Sequence, residues 1–298
     1  MEYIPAKNIV TQVKRHNWFG IDYNMNIYRG CSHGCIYCDS RSLCYKIENF
    51  DKIRAKQDAL RIIRDDLLKK RKRGVIATGA MSDPYNLYEA ELKMTRNALE
   101  LINAYRFGVS IATKSTLIAR DTNILKDIQE HSPVLVKMTV TTADDNICKI
   151  IEPNASLSSE RFEALKTLCA NGIYAGILMM PILPFIGDTE ENIINIVHKT
   201  KETGARFIYP AIGMTLRAGN REYYYDKLDQ YFPGIKEKYI KRYDVRYNCT
   251  SPKVKKLWNI FTGECNRLEL RYQMKDIIND YKRGYTAKQL NLFGGKYE

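Results

Sequence analysis

The chain has 298 residues, of which 45% are hydrophobic and 27% are charged, so its composition is that of a globular protein and excludes a disordered or fibrous one. Its 47 Lys and Arg residues exceed its 34 Asp and Glu residues, and the net charge of +13 favours a polyanionic partner such as nucleic acid. A Lys-, Ile-, Asn- and Tyr-rich composition inherited from an AT-rich genome would also explain this charge. No run approaches the roughly 18 apolar residues of a membrane span, and we expect a cytoplasmic protein without a membrane partner.

The segment from about residue 24 to 212 alternates short β-rich runs with longer amphipathic stretches, which is the pattern of repeated βα units. In chain order, the predicted elements are strand 25–29, helix 52–72, strand 75–78, helix 91–105, strand 107–113, helix 120–130, strand 134–141, helix 158–170, strand 174–180, helix 190–202 and strand 206–212. Six strands connected in this way predict an α/β fold whose parallel sheet forms a partial (β/α)6 TIM-type barrel, with ligands at the carboxyl ends of the strands.

The strand pattern weakens beyond residue 219, where Tyr and Lys become frequent. We therefore divide the chain into a barrel core over residues 1–219 and a basic, Tyr-rich, mainly helical appendage over residues 220–298. The end of the appendage carries a separate short motif, described below.

Three of the eight cysteines form the pattern C-x3-C-x2-C directly after the first predicted strand, as Cys31, Cys35 and Cys38. Three thiolates at this spacing can hold one face of a cubane iron-sulfur cluster, and the fourth iron then keeps an open coordination site for chemistry. A zinc site or redox pair completed by His33 or Cys44 is the alternative that the spacing leaves open.

The segment YRGCSHGCIYC around these cysteines resembles the radical S-adenosylmethionine (SAM) superfamily, and within it the branch that includes spore photoproduct lyase, a DNA repair photolyase-like family. The resemblance covers about residues 24–215. It implies that Cys31, Cys35 and Cys38 are metal-binding and catalytic residues that hold a 4Fe-4S cluster, and that SAM binds the open iron. An electron from a donor such as flavodoxin or ferredoxin then cleaves SAM, and the resulting 5′-deoxyadenosyl radical abstracts hydrogen from the substrate.

The resemblance also implies a set of SAM-binding residues at the strand ends. Tyr37 is the expected adenine contact, and Lys114, at the end of the third strand, is the expected partner of the SAM carboxylate. Ser82 and Asp83 follow the second strand, where they would accept hydrogen bonds from the SAM ammonium. An N-cap of the following helix is the alternative role for Asp83.

Two threonines of the fourth predicted strand share a face, because side chains alternate along a strand with a period of two. Thr139 and Thr141 would therefore both point into the barrel, toward the ribose or methionine of SAM. Packing in the barrel core is the alternative role for both.

The chain departs from the spore photoproduct lyase pattern at two positions. That family has a cysteine two residues before the Ser-Asp pair, where this chain has Ala80, and a tyrosine after the third cluster cysteine, where this chain has Asp39. These departures argue against reversal of the thymine photoproduct itself, and Cys148, Cys169 and Tyr85 are the alternative hydrogen donors. We expect a radical SAM enzyme acting on a nucleic-acid lesion; a peptide or small-molecule substrate, or a non-enzymatic metal-binding module, is the alternative.

The sequence QLNLF near the end of the chain resembles the pentapeptide that docks bacterial repair and replication proteins on the DNA sliding clamp. In such a peptide, Leu292 and Phe293 would be the apolar anchors and Gln289 would form a hydrogen bond at the rim of the clamp pocket. Leu290 is the remaining partner-binding residue of this motif. The alternative is a tail whose apolar residues fold back onto the chain.

Overall fold

The computed structural model describes residues 1–14 and 18–285, and all structural statements refer to these residues. They form twelve β-strands and eleven α-helices, together with three short 3-10 segments. The strands are β1 Glu2–Ile4, β2 Val10–Gln12, β3 Tyr23–Met25, β4 Tyr28–Arg29, β5 Arg54–Lys56, β6 Val75–Thr78, β7 Gly108–Thr113, β8 Val134–Thr139, β9 Ala175–Met179, β10 Phe207–Pro210, β11 Gly213–Thr215 and β12 Asn248–Thr250. The helices are α1 Ala59–Leu68, α2 Glu89–Leu92, α3 Met94–Ala104, α4 Thr122–Gln129, α5 Asp145–Ile151, α6 Ser158–Ala170, α7 Glu190–Glu202, α8 Asn220–Tyr231, α9 Ile235–Tyr243, α10 Val254–Arg267 and α11 Met274–Lys282.

Seven strands form the main sheet, in the order β10-β9-β8-β7-β6-β3-β2. The six strands from β3 to β10 run parallel, and β2 pairs antiparallel with β3 at one edge. Helices connect the parallel strands, as crossover connections between parallel strands require. Because β10 and β2 lie at opposite edges of this sheet and do not pair with each other, the barrel is open, and the predicted partial TIM-type barrel is confirmed.

Side chains of the central strands alternate between two apolar layers. Val136 and Ile177 face the layer between the sheet and the helices, whereas Leu135 and Phe207 face the interior of the barrel, where Phe19 fills the space. All five side chains are at most 1% exposed. Polar residues come after the strands, beyond their carboxyl ends.

The first predicted strand was wrong in one respect that matters for the site. The structure divides residues 25–29 between β3, in the barrel, and β4, in a separate sheet of order β1-β5-β4. The cysteine loop therefore follows β4 rather than a barrel strand. The predicted helix 52–72 was too long, because β5 occupies its first residues and pairs with β1 and β4.

The elements after residue 212 pack against different parts of the barrel. Helix α10 packs along α7, and α11 places Ile277 and Tyr281 in the interior layer. The β11–β12 pair, which the sequence did not predict, joins residues from both sides of position 219. The predicted domain boundary at residue 219 therefore stays a prediction. Within residues 1–14 and 18–285, no helix is long and apolar enough to span a bilayer.

Candidate active site

The three cysteines of the C-x3-C-x2-C motif lie on the loop that follows β4. Cys35 is buried, Cys31 and Cys38 are partly buried, and all three thiols are free. The Cys31 amide donates to the carbonyl of Phe50 over 2.9 Å. Gly30 precedes this turn with φ +83°, and a Cβ there would lie 2.5 Å from the carbonyl oxygen of Lys52. The loop can therefore pass this point only with glycine.

Burial and neighbouring charges shift the pKa values of Cys31 and Cys35. Burial raises the pKa of Cys31 to about 11, with a further contribution from the negative charge of Asp83. Burial also raises the pKa of Cys35 well above its usual value, although the Lys114 ammonium opposes this shift. Metal binding to such thiols would displace their protons, because only thiolates are effective ligands.

The donor chemistry of the loop fits an iron-sulfur cluster. Three thiols on eight consecutive residues are soft ligands of the kind that such clusters use. Among residues 1–14 and 18–285, no three His, Cys, Asp or Glu side chains already lie in positions that could hold a metal ion together. The two candidates for a fourth zinc ligand have other partners: His33 Nδ1 lies 3.4 Å from Asp83 Oδ2, and the Cys44 sulfur accepts from Arg217 over 3.3 Å.

Ser82 and Asp83 tie the cysteine loop to the barrel strands. The Ser82 hydroxyl donates to the carbonyl of Gly30, one residue before Cys31. Asp83 accepts hydrogen bonds from the Thr113 hydroxyl over 2.7 Å and from the Lys114 amide over 2.8 Å, both at the end of β7. It also accepts the Tyr85 amide two residues ahead and caps none of the helices described above. Their contact with SAM stays a prediction.

Lys114 and Tyr37 face each other across the site. The Lys114 ammonium lies 5.7 Å from the centre of the Tyr37 ring, and no carboxylate of the described residues lies within 4 Å of it. Burial lowers the pKa of Lys114, but negative charge at Cys35 and Glu152 outweighs this effect, and the pKa is raised overall. The group is thus a cation that an anionic ligand can pair with, and its pairing with the SAM carboxylate stays a prediction.

Two buried charged residues that the sequence analysis missed lie beside Tyr37. Arg161 donates to Glu152 over 2.5 Å, and both side chains are 0% exposed. Glu152 also accepts a hydrogen bond from the Tyr37 hydroxyl. Burial raises the pKa of Glu152, but the Arg161 and Lys114 charges outweigh it and hold that pKa below its usual value. A sequence signal did exist: Arg161 occupies the apolar face of α6, one turn before Leu165.

The two predicted threonines lie near this buried pair rather than along one strand. β8 ends at Thr139, whose carbonyl accepts from Arg161 over 2.8 Å. Thr141 lies beyond the strand, and its hydroxyl donates to Glu152 over 3.3 Å. The predicted strand end was therefore two residues too long. Contact of these threonines with SAM stays a prediction.

A cavity of about 510 Å³ opens beside the cysteine loop, at the carboxyl ends of β9 and β10 and against the β11–β12 pair. Tyr37, Cys38, Met180 and Met214 form part of its wall. Its volume falls within the range of about 300–1,000 Å³ that small-molecule and cofactor sites occupy. The cavity thus adjoins the cysteines at the edge of the sheet where ligands were expected.

The three alternative hydrogen donors differ in their positions. The Tyr85 hydroxyl is buried and donates to Asp121 over 3.1 Å, so it is already committed to a structural contact. Cys169 lies at the end of α6, against Gly204. Cys148 is fully buried, and its thiol lies 3.7 Å from Glu152, behind Tyr37. Only Cys148 of the three therefore belongs to the side-chain network of the site.

The predicted clamp-binding residues Gln289, Leu290, Leu292 and Phe293 lie outside the described residues. The described chain ends at Tyr285, whose hydroxyl donates to the carbonyl of Gln129. The clamp prediction is therefore a matter of sequence alone.

Comparison with known protein sequences identifies similar chains. A model described as the Radical SAM superfamily matches residues 25–199. An uncharacterized protein of Methanocaldococcus jannaschii is 35% identical over 171 residues, which are 57% of this chain and 64% of that protein. An uncharacterized protein of Mycobacterium tuberculosis is 25% identical over 228 residues, 74% of this chain and 67% of that protein. The matched region is thus less than two thirds of the M. jannaschii protein.

Solved structures show the same fold at low identity. Spore photoproduct lyase complexed with dinucleoside spore photoproduct matches with a TM-score of 0.65 and 12% identity, over 89% of this chain and 79% of that one. The radical S-adenosylmethionine methyltransferase TsrM from Kitasatospora setae, with tryptophan substrate and a SAM analogue bound, matches with a TM-score of 0.53 and 10% identity. That match covers 82% of this chain and 51% of the methyltransferase. At such identities the similarity demonstrates a common fold.

Proposed function

The chain belongs to the radical SAM superfamily, and from this premise we propose that it is an enzyme whose Cys31, Cys35 and Cys38 hold a 4Fe-4S cluster that binds SAM. The observation that carries the proposal is the position of the three free thiols, beside a cofactor-sized cavity at the carboxyl edge of a parallel sheet. When bound, the cluster would supply the electron that cleaves SAM to a 5′-deoxyadenosyl radical, which abstracts hydrogen from the substrate.

The residues around the cavity would bind and orient SAM. The Lys114 ammonium would pair with the SAM carboxylate, since no carboxylate of the described chain lies within 4 Å of it. Tyr37, in the cavity wall, would contact the adenine, and Met180 would exclude water from the same space. Asp83, fixed by three hydrogen bonds, would receive the SAM ammonium with a carboxylate that needs no rearrangement.

The experiment that tests the chemistry is anaerobic reconstitution with iron and sulfide. The wild-type protein should bind about four iron atoms per chain and release 5′-deoxyadenosine from SAM after reduction. Cys35→Ala should lose most of the iron, whereas Cys265→Ala, at a buried cysteine in α10, is the matched control and should keep it. A colourless wild-type protein that binds zinc instead would refute the proposal and favour a non-enzymatic metal-binding module.

We propose a nucleic-acid substrate on the basis of a surface next to the cavity that combines an arginine with two tyrosines. Arg217 lies 4.6 Å from the Tyr247 ring and donates to the hydroxyls of Tyr247 and Tyr45 over 2.7 and 3.1 Å. The flanking Thr215 and Asn248 line the cavity, and Tyr247 is 43% exposed. Arginines that contact phosphate, with tyrosines that stack on bases, are the usual elements of single-strand binding. The net charge of +13 supports the same substrate class.

The substrate differs from that of spore photoproduct lyase, in this proposal, because the cavity wall differs. Ala80 and Asp39, the two departures from that family's pattern, both line the cavity. The position that would carry a cysteine hydrogen donor is therefore a methyl group, and a carboxylate replaces a tyrosine. We propose another nucleic-acid lesion or modification site as the substrate.

Salt-dependent binding tests the substrate class. If Arg217 contacts phosphate, log K for single-stranded DNA should fall with log salt, and Arg217→Gln should reduce that slope by about one. Arg283→Gln is the control, because Arg283 is an exposed arginine at the end of α11, remote from the cavity. If wild-type binding is absent or independent of salt, the nucleic-acid proposal is wrong and a peptide or small-molecule substrate takes its place.

Two protein partners complete the proposal. A flavodoxin or ferredoxin would supply the electron that this superfamily's chemistry requires. The tail motif would bind a bacterial sliding clamp: a peptide spanning residues 288–298 should bind, and its Phe293→Ala version should not. Equal binding of both peptides would contradict the clamp proposal, with no consequence for the iron-sulfur site.

A further inference from the structure

Residues 151–154, at the end of α5 and just beyond it, are hydrogen-bonded to the cysteine loop. The Ile36 amide donates to the carbonyl of Ile151 over 3.0 Å, and the Asn154 amide donates to the carbonyl of His33 over 3.1 Å. The Asn154 side chain donates to the carbonyl of Ser32 over 2.9 Å. The backbone of the loop between the first and third cysteines is thus held from one side by residues 151–154.

Glu152 lies in the middle of this segment and points at Tyr37. Its carboxylate accepts from the Tyr37 hydroxyl, from Thr141 over 3.3 Å and from Arg161 over 2.5 Å. Arg161 is itself fixed, because it donates to the carbonyls of Ser156 and Thr139 over 2.8 Å each. The acceptor of the Tyr37 hydroxyl is therefore a carboxylate with almost no freedom to move.

We propose that Glu152 is a positioning residue for the cofactor site, and that it acts by fixing the Tyr37 ring in the wall of the cavity. This inference rests on the proposed function, because Tyr37 is the residue that would contact the adenine of SAM. Tyr37 stands between Cys35 and Cys38, so its side-chain orientation and the path of the loop are linked. Holding its hydroxyl fixes both the cavity wall and the part of the loop that presents the third cysteine.

The burial of this charge pair supports positioning over simple stabilisation. A buried ion pair is often no more stabilising than apolar residues of the same size, because both charges lose their hydration. Its geometric effect is different, since a fixed carboxylate accepts a hydrogen bond in one direction and thereby selects one side-chain orientation. Tyr37 needs such a constraint because its ring lies at the cavity on one side and under Lys114 on the other.

The test compares Glu152→Gln, Tyr37→Phe and the double variant after reconstitution. Glu152→Gln keeps the shape of the side chain and removes its charge, and Tyr37→Phe removes only the hydroxyl. The measurements are iron content, binding of S-adenosylhomocysteine by calorimetry, and the change that SAM causes in the electron paramagnetic resonance spectrum of the reduced cluster. Tyr37→Phe loses one charge-assisted hydrogen bond, and Glu152→Gln removes the charge that strengthens it. We expect each single variant to bind S-adenosylhomocysteine up to about tenfold more weakly and to show an altered SAM-dependent spectrum.

The double variant separates action through Tyr37 from a general structural effect. If Glu152 acts through the Tyr37 hydroxyl, the double variant should bind no more weakly than either single variant. Asp66→Asn is the matched control, because Asp66 is a buried carboxylate that accepts the Ile9 and Val10 amides far from the cysteine loop. It should lower stability and leave ligand binding unchanged.

Three outcomes would overturn the inference. The first is unchanged binding and spectrum in Glu152→Gln, and the second is a double variant whose defect is the product of two independent defects. If Glu152→Gln fails to fold, Tyr37→Phe decides, and unchanged ligand binding in that variant is the third. A wild-type protein that takes up no iron and binds no S-adenosylhomocysteine would instead remove the proposed function together with this inference.

Discussion

The buried lysine inside the barrel allows a quantitative prediction. Lys137 lies on the inner face of β8, is 3% exposed, and donates to the Ser110 hydroxyl over 2.6 Å. Burial lowers the pKa of Lys137 from 10.5 to about 7. The folded chain therefore binds this proton less tightly than the unfolded chain does. Below pH 7, burial of the charged lysine lowers the free energy of unfolding by about 5 kcal/mol.

The sign of the pH dependence follows from this difference. Below about pH 7 the lysine is protonated in both states and the full cost applies; above about pH 10.5 it is neutral in both and no cost remains. The contribution of Lys137 to stability should thus become less unfavourable as the pH rises between these values. Its slope should be at most about 1.4 kcal/mol per pH unit.

Lys137→Met removes the charge while keeping a side chain of similar length. At pH 7, removing the buried charge should stabilise the protein by about 4 kcal/mol, and losing the hydrogen bond to Ser110 should destabilise it by about 1 kcal/mol. The variant should therefore be about 3 kcal/mol more stable at pH 7. Near pH 9.5 the gain should shrink to about zero. Urea unfolding of the metal-free, reduced protein at both pH values measures the difference, and groups common to both proteins cancel. A stability difference that is the same at both pH values would refute the reasoning.

Three further substitutions, two of them with a matched glycine control, test other contacts. Gly30→Ala should lose iron after reconstitution, because its methyl group would clash with the Lys52 carbonyl. Gly172 also has a positive φ, +78°, but open space around it, so Gly172→Ala is the control and should retain iron. Equal iron content in the two variants would contradict the steric argument. Gly176→Ala should lower the unfolding free energy by about 3 kcal/mol, because its Cβ would lie 2.2 Å from the Phe207 carbonyl oxygen. Gly263→Ala, in open space, should raise the unfolding free energy by up to about 1 kcal/mol. An unchanged unfolding free energy in Gly176→Ala would show that β9 and β10 can move apart freely. Tyr281→Phe should lower the unfolding free energy by about 1 kcal/mol through loss of the 2.6 Å bond to the Phe19 carbonyl, and an unchanged melting temperature would show that this bond makes no net contribution.

Local patterns predicted the elements whose signals are local. The bounds of β6, α6 and α7 match the prediction, because the residues that favour and delimit each of them lie in the element or directly beside it. The cysteine motif is likewise contiguous in sequence. These features needed no knowledge of how distant segments pack.

The elements that the sequence missed depend on distant partners. β11 and β12 are three residues each and exist only because they pair across more than thirty intervening residues. The Glu152–Arg161 pair has a similar origin, because it depends on hydrogen bonds with Tyr37 and Thr139. Neither of these partners is adjacent to the pair in sequence. A single sequence holds no direct signal for such contacts, beyond an arginine in the apolar face of a helix.

The way α11 is attached has a consequence for how the protein can be recruited. The Tyr281 hydroxyl donates a hydrogen bond to the Phe19 carbonyl, and the Tyr285 hydroxyl donates one to the Gln129 carbonyl. Gln129 is the last residue of α4 and therefore lies close to the start of β8. The described polypeptide therefore finishes at the amino-terminal rim of the barrel, opposite the cysteines. A partner that bound at Tyr285 would therefore contact the face of the barrel opposite the cysteines, and it would leave the cavity beside them uncovered.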